Sequence, residues 1–332
     1  MSLNLASLIA ERYNDTTLPK LKILMMETLN TTPCYIPLTQ LGVLNIAGDD
    51  AQTFLQSMFT NDVAALAINQ GQLSGFCNAK GRLFGLFLLI RRKGYYQLVL
   101  PKNMCNSLQQ RLTMFVLRSK VTISDETANL VSLGLSYPDN NQADFLSMPD
   151  EIYQAIEEDG QLLIRLPSDM LRVLWIGSSE QASQLEQTLV EHQWQQVSNT
   201  VWDLLDIEAG IPAVLPETKE KFTPQQVNLD LVNGVSFKKG CYPGQEVVAR
   251  LHYLGKPSRR MFIAKAQTTE QIEVGTEITT DSGDIAGHVV SAQHTDPDTI
   301  LLLVSLKLSS QTASLLLAPS TTVMLISPPI EE

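Results

Sequence analysis

Cysteine is scarce in this chain of 332 residues, and the four present (Cys34, Cys77, Cys105 and Cys241) lie far apart. No two form a C-x-x-C pair. The short, cysteine-dense profile of a disulfide-stapled secreted domain is absent, so a reducing cytoplasm is the expected compartment. His192, His252, His288 and His294 show no zinc-ligand spacing, and no structural metal site is expected. Positive charge is short as well: 24 Lys and Arg face 35 Asp and Glu, a net charge of −11. That balance repels polyanions, which disfavours direct binding of nucleic acid or an anionic membrane. No window approaches the roughly 18 apolar residues of a membrane span. The opening "MSLNLASLIAERYND" has no basic n-region, so no signal peptide is expected. The chain has no P-loop, no G-x-G-x-x-G and no G-x-S-x-G, which removes the main support for kinase, nicotinamide dehydrogenase and serine-hydrolase chemistry.

What is present is material for more than one core. Hydrophobic residues make up 44% and charged residues 18%, and the length exceeds that at which a single core stops growing. "LGVLNIA" (41–47) reads as a strand, and Gly48-Asp49-Asp50 supplies turn and N-cap chemistry for a helix, "AQTFLQSMF". "LFGLFLLI" and "YYQLVL" flank "RRKG", a hairpin with Arg91, Arg92 and Lys93 expected in water at its tip. Leu108, Leu112, Phe115 and Val116 recur at helical spacing, and "KVTIS" reads as a strand. This order fits an α+β sheet with helices on one face. Residues 137–160 are polar and turn-rich, a surface excursion or a crossing between domains. "SSEQASQLEQTLVEHQW" is a capped helix. The proline-rich stretch 202–230 is irregular apart from the run before Gly210, and long irregular segments tend to carry function. From Arg260 onward, short strands separated by turn residues predict a small all-β barrel or sandwich.

Two basic islands interrupt the acidic background. Residues 238–260 hold Lys238, Lys239, Arg250, Lys256, Arg259 and Arg260 against the single acid Glu246, and residues 76–100 hold Lys80, Arg82, Arg91, Arg92 and Lys93 with no acid. Basic side chains facing one cleft would focus potential on an anionic ligand. The island at 238–260 opens with "KKGCYPGQEVVAR". Pro243 and Gly244 place Cys241 at a tight turn, and nearby lysines favour a thiolate. That thiolate is a nucleophile or a soft-metal ligand; the alternative is a buried, inert cysteine. A complete iron–sulfur site needs three or four ligands, so contact with a cluster would be transient, with other ligands from a partner. "DIEAG" places Asp206 and Glu208 near Gly210, either as solvated acids at a Gly-capped helix end or as a carboxylate reading an amidine-like edge. Trp202, just upstream, either fills a core or packs against such a ring.

Several stretches together resemble the YgfZ branch of the folate-binding superfamily that also contains the glycine-cleavage T-protein, an aminomethyltransferase. They are "LNIAGDDAQTFLQSMFTNDVAAL", "CNAKGR", "DIEAGIP", "KFTPQQVNLD" and, most specifically, "KKGCYPGQEVVARLHYLGKPSRR". The resemblance runs in matching order from about residue 36 to the C-terminal strands. It implies an α+β, three-domain, ring-like fold with antiparallel α+β domains and a C-terminal β-barrel. The expected domains are 1–48 with 128–257, an inserted 49–127, and 258–332. The resemblance also implies a cofactor, tetrahydrofolate or a derivative, and a role in assembly or repair of iron–sulfur proteins, including radical enzymes that modify tRNA. The implied partners are iron–sulfur or cluster-assembly proteins, met transiently. Glu208 matches the acid that holds the pterin edge, and Trp202 the tryptophan of the folate site. Cys241 matches the motif cysteine as a functional thiolate, with Lys239, Tyr242, Gln245, Glu246 and Arg250 around it. Two departures stand out. The aminomethyltransferases carry an acidic pair, including the catalytic aspartate, shortly after the segment matching "CNAKG"; here that stretch is "RLFGLF". This disfavours the alternative, a one-carbon transferase, because acid–base help at the folate nitrogen is lost. The second is Leu41, where YgfZ proteins often have tryptophan.

Overall fold

The computed structural model describes residues 32–138, 145–168, 170–253, 255, 257–317 and 321–326. The N-terminal segment, on which the signal-peptide expectation falls, and Lys256 of the basic segment lie outside the described residues. In chain order, β1 (Cys34–Pro37) and β2 (Leu41–Ala47) precede α1 (Ala51–Met58). Then come β3 (Gln70–Cys77), β4 (Leu83–Arg92), β5 (Tyr95–Pro101), α2 (Lys102–Val116), β6 (Thr122–Asp125) and β7 (Leu130–Tyr137). Next are β8 (Ala155–Glu158), β9 (Gln161–Arg165), β10 (Leu171–Ser178), α3 (Ser179–Glu191), β11 (Gln195–Gln196), α4 (Asn199–Glu208) and α5 (Gln245–Tyr253). The chain closes with β12 (Arg259–Gln267), β13 (Glu277–Thr280), β14 (Ile285–Asp296), β15 (Thr299–Lys307), β16 (Leu315–Leu317) and β17 (Thr321–Leu325).

Three sheets result. The order β3-β4-β5-β2-β6 makes an antiparallel sheet of five, and β11-β1-β7-β10-β9-β8 a sheet of six. The last six strands close into a barrel, β12-β15-β14-β13-β16-β17. The five-stranded sheet takes β2, from before the boundary expected at residue 48, because Leu41–Ala47 pairs along its whole length with Tyr95–Pro101.

Hydrophobic runs explain how the sheets meet. Phe87 and Leu89 of β4 enter a core shared with α1, α2 and the outer face of the barrel. Leu88 and Ile90, on the opposite face, enter a second core with β1, β9, β10 and α4. A strand buried on both faces must be apolar throughout, which is why "LFGLFLLI" does not alternate. β15 follows the same rule: Leu302, Val304 and Leu306 fill the barrel, while Leu301 and Leu303 join the core outside it.

Helix starts use the caps written in the sequence, with one change. Ser178 and Gln181 form a capping box at α3. Asp50 stands at the N-cap of α1, but its carboxylate accepts from the Lys120 N–H at 2.8 Å rather than from the helix. The hairpin tip also differs from expectation. Arg92 is buried, ion-paired to Glu157 at 2.8 Å and donating to Gln97 and to the Gly160 carbonyl. Glu157 belongs to β8, remote in sequence, so nothing local marked Arg92 for burial.

Candidate functional site

The five-stranded sheet, the barrel and α4 border one cavity of about 530 Å³. The polar wall is α4. Ser198 caps this helix, its side chain accepting from the Thr200 N–H at 3.3 Å. Val201, Trp202 and Leu205 are buried, whereas Asp203 and Asp206, one turn apart, face the cavity. Gly210 ends the run in the left-handed region (φ 64°), turning the chain so that Ile211, Pro212, Ala213 and Leu215 form the next wall. Gln40 and Leu41 enter from the start of β2, Lys102 and Asn103 from the start of α2, and Val274, Ser291 and Ala292 from the barrel. The lining is mainly apolar with a few converging polar groups, the character of a small-molecule site.

Arg172 of β10 anchors the acidic wall. Its side chain is fully buried; Nη2 donates to Asp206 Oδ1 at 2.7 Å and to the Trp202 carbonyl at 3.4 Å. The guanidinium stands 3.8 Å from the centre of the Trp202 ring, where the π face offsets part of its lost hydration. Nε and Nη1 are buried without a hydrogen-bond partner among the described residues. Trp202 also packs against Gly134, where a Cβ would come within 2.4 Å of the indole. Burial pushes the Asp206 carboxyl up, and Arg172 opposes that shift. Burial and the neighbouring Asp206 push Asp203 up to about 6, against a weak hydrogen bond from Gln40 at 3.4 Å.

The Cys241 motif forms a second constellation. Cys241 is exposed, whereas Cys34, Cys77 and Cys105 are buried, and burial raises their thiols to about 12, 12 and 11. Lys239 turns inward: Nζ donates to the carbonyls of Gln56 and Phe59 at 2.5 Å and of Asn61 at 3.1 Å. These oxygens close the end of α1, so the lysine serves as a C-terminal cap on that helix. Burial pulls it down to about 8. Its Nζ lies 5.3 Å from the Tyr242 ring centre, and the buried Tyr242 hydroxyl has no partner among the described residues. The Gln245 amide approaches the Lys239 and Gly240 carbonyls at 3.5 and 3.4 Å. Glu246 and Arg250 lie exposed on α5.

The structure therefore gathers Lys239, Cys241, Tyr242 and Gln245 in one loop and leaves Trp202 and Glu208 on α4. Among the described residues, none of the motif side chains lines the cavity, and α4 presents Asp203, Asp206 and Ile207 to it. Trp202 faces the sheet, and Glu208, half-buried, is the last residue of the helix. The basic island is partly structural too: Arg260 is buried and bound to Asp230 at 2.8 and 2.9 Å. Sequence reasoning passed over Asp203, although the D-x-x-D spacing ahead of Gly210 marks both acids as neighbours on one helical face. Among the described residues, no group of three or more His, Cys, Asp or Glu is placed to hold a metal ion, and no helix is long and apolar enough to cross a membrane.

The fold is that of the T-protein class. The glycine cleavage system aminomethyltransferase T from Bartonella henselae superposes with a TM-score of 0.73, over 93% of this chain and 88% of that one, at 17% identity. Within that class the nearer relatives are more particular. The tRNA-modifying protein YgfZ of Photobacterium profundum is 35% identical over 256 residues, 75% of each chain. That of Colwellia psychrerythraea is 30% identical over 240 residues, 72% of this chain and 73% of the relative. The chain belongs to the YgfZ family. No protein-family profile matches it.

Proposed function

We propose that this protein binds tetrahydrofolate or a derivative in the α4 cavity and acts in tRNA modification. It does so in the cytoplasm, by supporting assembly or repair of iron–sulfur proteins, radical tRNA-modifying enzymes among them. The observation that carries the reading is the cavity itself. Its volume of about 530 Å³ lies within the range of small-molecule sites, and it sets carboxylates against a mainly apolar lining. A flat pterin presents N–H donors along one edge and apolar faces on either side, and carboxylate acceptors beside an apolar lining suit it. Asp203 and Asp206 are the cavity-lining acids that its edge would meet, and Glu208, the match to the pterin acid, ends the same helix. Leu41, Ile211 and Val274 supply apolar wall, with Leu41 where relatives often carry tryptophan. Trp202 supports the acidic wall through Arg172 and the helix backbone. The folate, when bound, supplies a one-carbon carrier.

The relatives' name, tRNA-modifying protein, supports the biological role. An acidic surface favours an indirect link to tRNA, through client enzymes. Cys241 is the thiol these clients meet: it is exposed at a turn, with Gln245 tying the loop together. The one-carbon transferase reading is weaker, because β4 follows "CNAKGR" with no carboxylate.

Calorimetric titration with reduced folates tests the cavity. Saturable one-to-one binding is expected, and its absence would sink the folate role. Cys241→Ala, introduced into cells lacking the native protein, tests the thiol; full rescue of iron–sulfur enzyme activity would remove Cys241 from the mechanism.

A further inference from the structure

We propose that Asp203 is a ligand-binding residue of this cavity and that it selects a planar ring carrying an N–H donor edge. The inference rests on the folate reading above and deepens it at one residue.

Asp203 and Asp206 both line the cavity, but they are not equivalent. Asp206 already accepts from Arg172 at 2.7 Å, so its charge is countered and its position held from the sheet. Among the described residues, Asp203 accepts from the Gln40 amide alone, at 3.4 Å, the long, weak end of hydrogen bonding. Gln40 in turn accepts from the Asn199 amide at 3.4 Å. This chain of amides orients Gln40 without satisfying Asp203. The cavity lining is mainly apolar, with Leu41, Pro101, Ile211 and Val274. A cavity-lining carboxyl group with one long donor among the described residues keeps acceptor capacity that a ligand N–H can fill.

The charged and titratable groups around it come from three directions. Asp206 lies on the same helix, Arg172 comes from β10, and Lys102 borders the cavity from the start of α2. Tyr153 lies within the field of Arg172 and Asp206. The barrel offers only Ser291 among apolar neighbours. Burial and, next, Asp206 oppose ionisation of Asp203 and outweigh the Gln40 hydrogen bond and Arg172, which favour it, so the carboxyl is pushed up to about 6. An N–H donor pairs with the ionised form. Binding therefore tightens as pH rises through about 6 and levels off above it.

Calorimetry with folinic acid, and with a desamino analogue lacking the pterin amino group, tests this from about pH 5 to about pH 8. Native protein is expected to lose affinity for folinic acid towards about tenfold per pH unit below 6. Asp203→Asn is expected to bind about tenfold more weakly at neutral pH and to lose the pH slope. The desamino analogue should bind native protein more weakly than folinic acid does, and the variant nearly as well as folinic acid does. Asp203→Glu, which keeps the carboxylate, retains the slope, and thermal melting without ligand confirms that both variants are folded. Native affinity and native pH slope in Asp203→Asn overturn the inference while leaving the folate reading intact, as does a loss confined to Glu208→Gln. Failure of native protein to bind folinic acid overturns both.

Discussion

Gly81 and Gly244 lie against each other, and their contact locks the "CNAKGR" turn to the Cys241 loop. Both occupy the left-handed region, at φ 70° and 79°. A Cβ on Gly244 would stand 2.4 Å from the Asn78 carbonyl oxygen and 2.6 Å from the Gly81 backbone, and one on Gly81 would meet Val247 at 3.0 Å. Neither motif predicts the other from its own residues.

Gly244→Ala is therefore expected to destabilise the fold by more than the roughly 1–2 kcal/mol of the left-handed backbone alone, because backbone must also move. Gly94→Ala is the control. It shares a positive φ of 93° but has nothing within 4 Å of its Cβ, so it should cost only the conformational part. Thermal or urea denaturation of the two variants measures the difference.

The ion pair between Arg172 and Asp206 leads to a pH-dependent defect. Arg172→Met removes the buried cation and leaves the half-buried Asp206 carboxylate without its partner, a loss of about 1–2 kcal/mol at neutral pH once solvent screening on the cavity side is allowed for. Without Arg172 the Asp206 carboxyl is held up still further, and protonation relieves the penalty. The variant's deficit should shrink as pH falls towards 5, which denaturant titration at several pH values will show.

Asp203 sets a stability slope of the opposite sense to that of an ordinary surface carboxylate. Its folded value of about 6 lies above the ordinary aspartate range, so the folded state binds the proton more tightly. Stability is then lost as pH rises from about 4 to about 6, by up to about 3 kcal/mol. Asp203→Asn, free of ligand, should lack this slope and be at least as stable as native protein near pH 7.5, by calorimetry.

Thiol chemistry should separate the four cysteines. Cys241 is exposed, while burial keeps the thiols of Cys34, Cys77 and Cys105 protonated at neutral pH. Iodoacetamide is expected to modify one thiol per folded chain quickly and the other three only on unfolding, with peptide mass mapping to Cys241. Rapid modification of a second site would contradict the burial.

Much of the fold was legible because it depends on local pattern. The capping box at Ser178, the helical spacing of Leu108 and Leu112, the Pro243-Gly244 turn and the short C-terminal strands each follow from neighbours in the chain. The fate of charge was not. Arg92, Lys239 and Arg260 read as surface cations, yet each is buried, because its partners (Glu157, the carbonyls of Gln56 to Asn61, and Asp230) arrive from about 30 to 180 residues away. A lysine's letter says nothing about three carbonyls waiting at the end of a distant helix. Trp202 and Asp203 are adjacent, yet one meets the six-stranded sheet and the other a cavity, because successive helical residues point about 100° apart.

The sequence by itself determined the element order, the barrel, the motif turn and the family, since these rest on periodicity, turn chemistry and residue identity. Only the tertiary structure decided which acids face the cavity, which cations are caps or ion pairs, and that Gly81 must meet Gly244. Those outcomes depend on burial and on close approach between segments remote in the chain, and neither quantity exists until the sheets have packed.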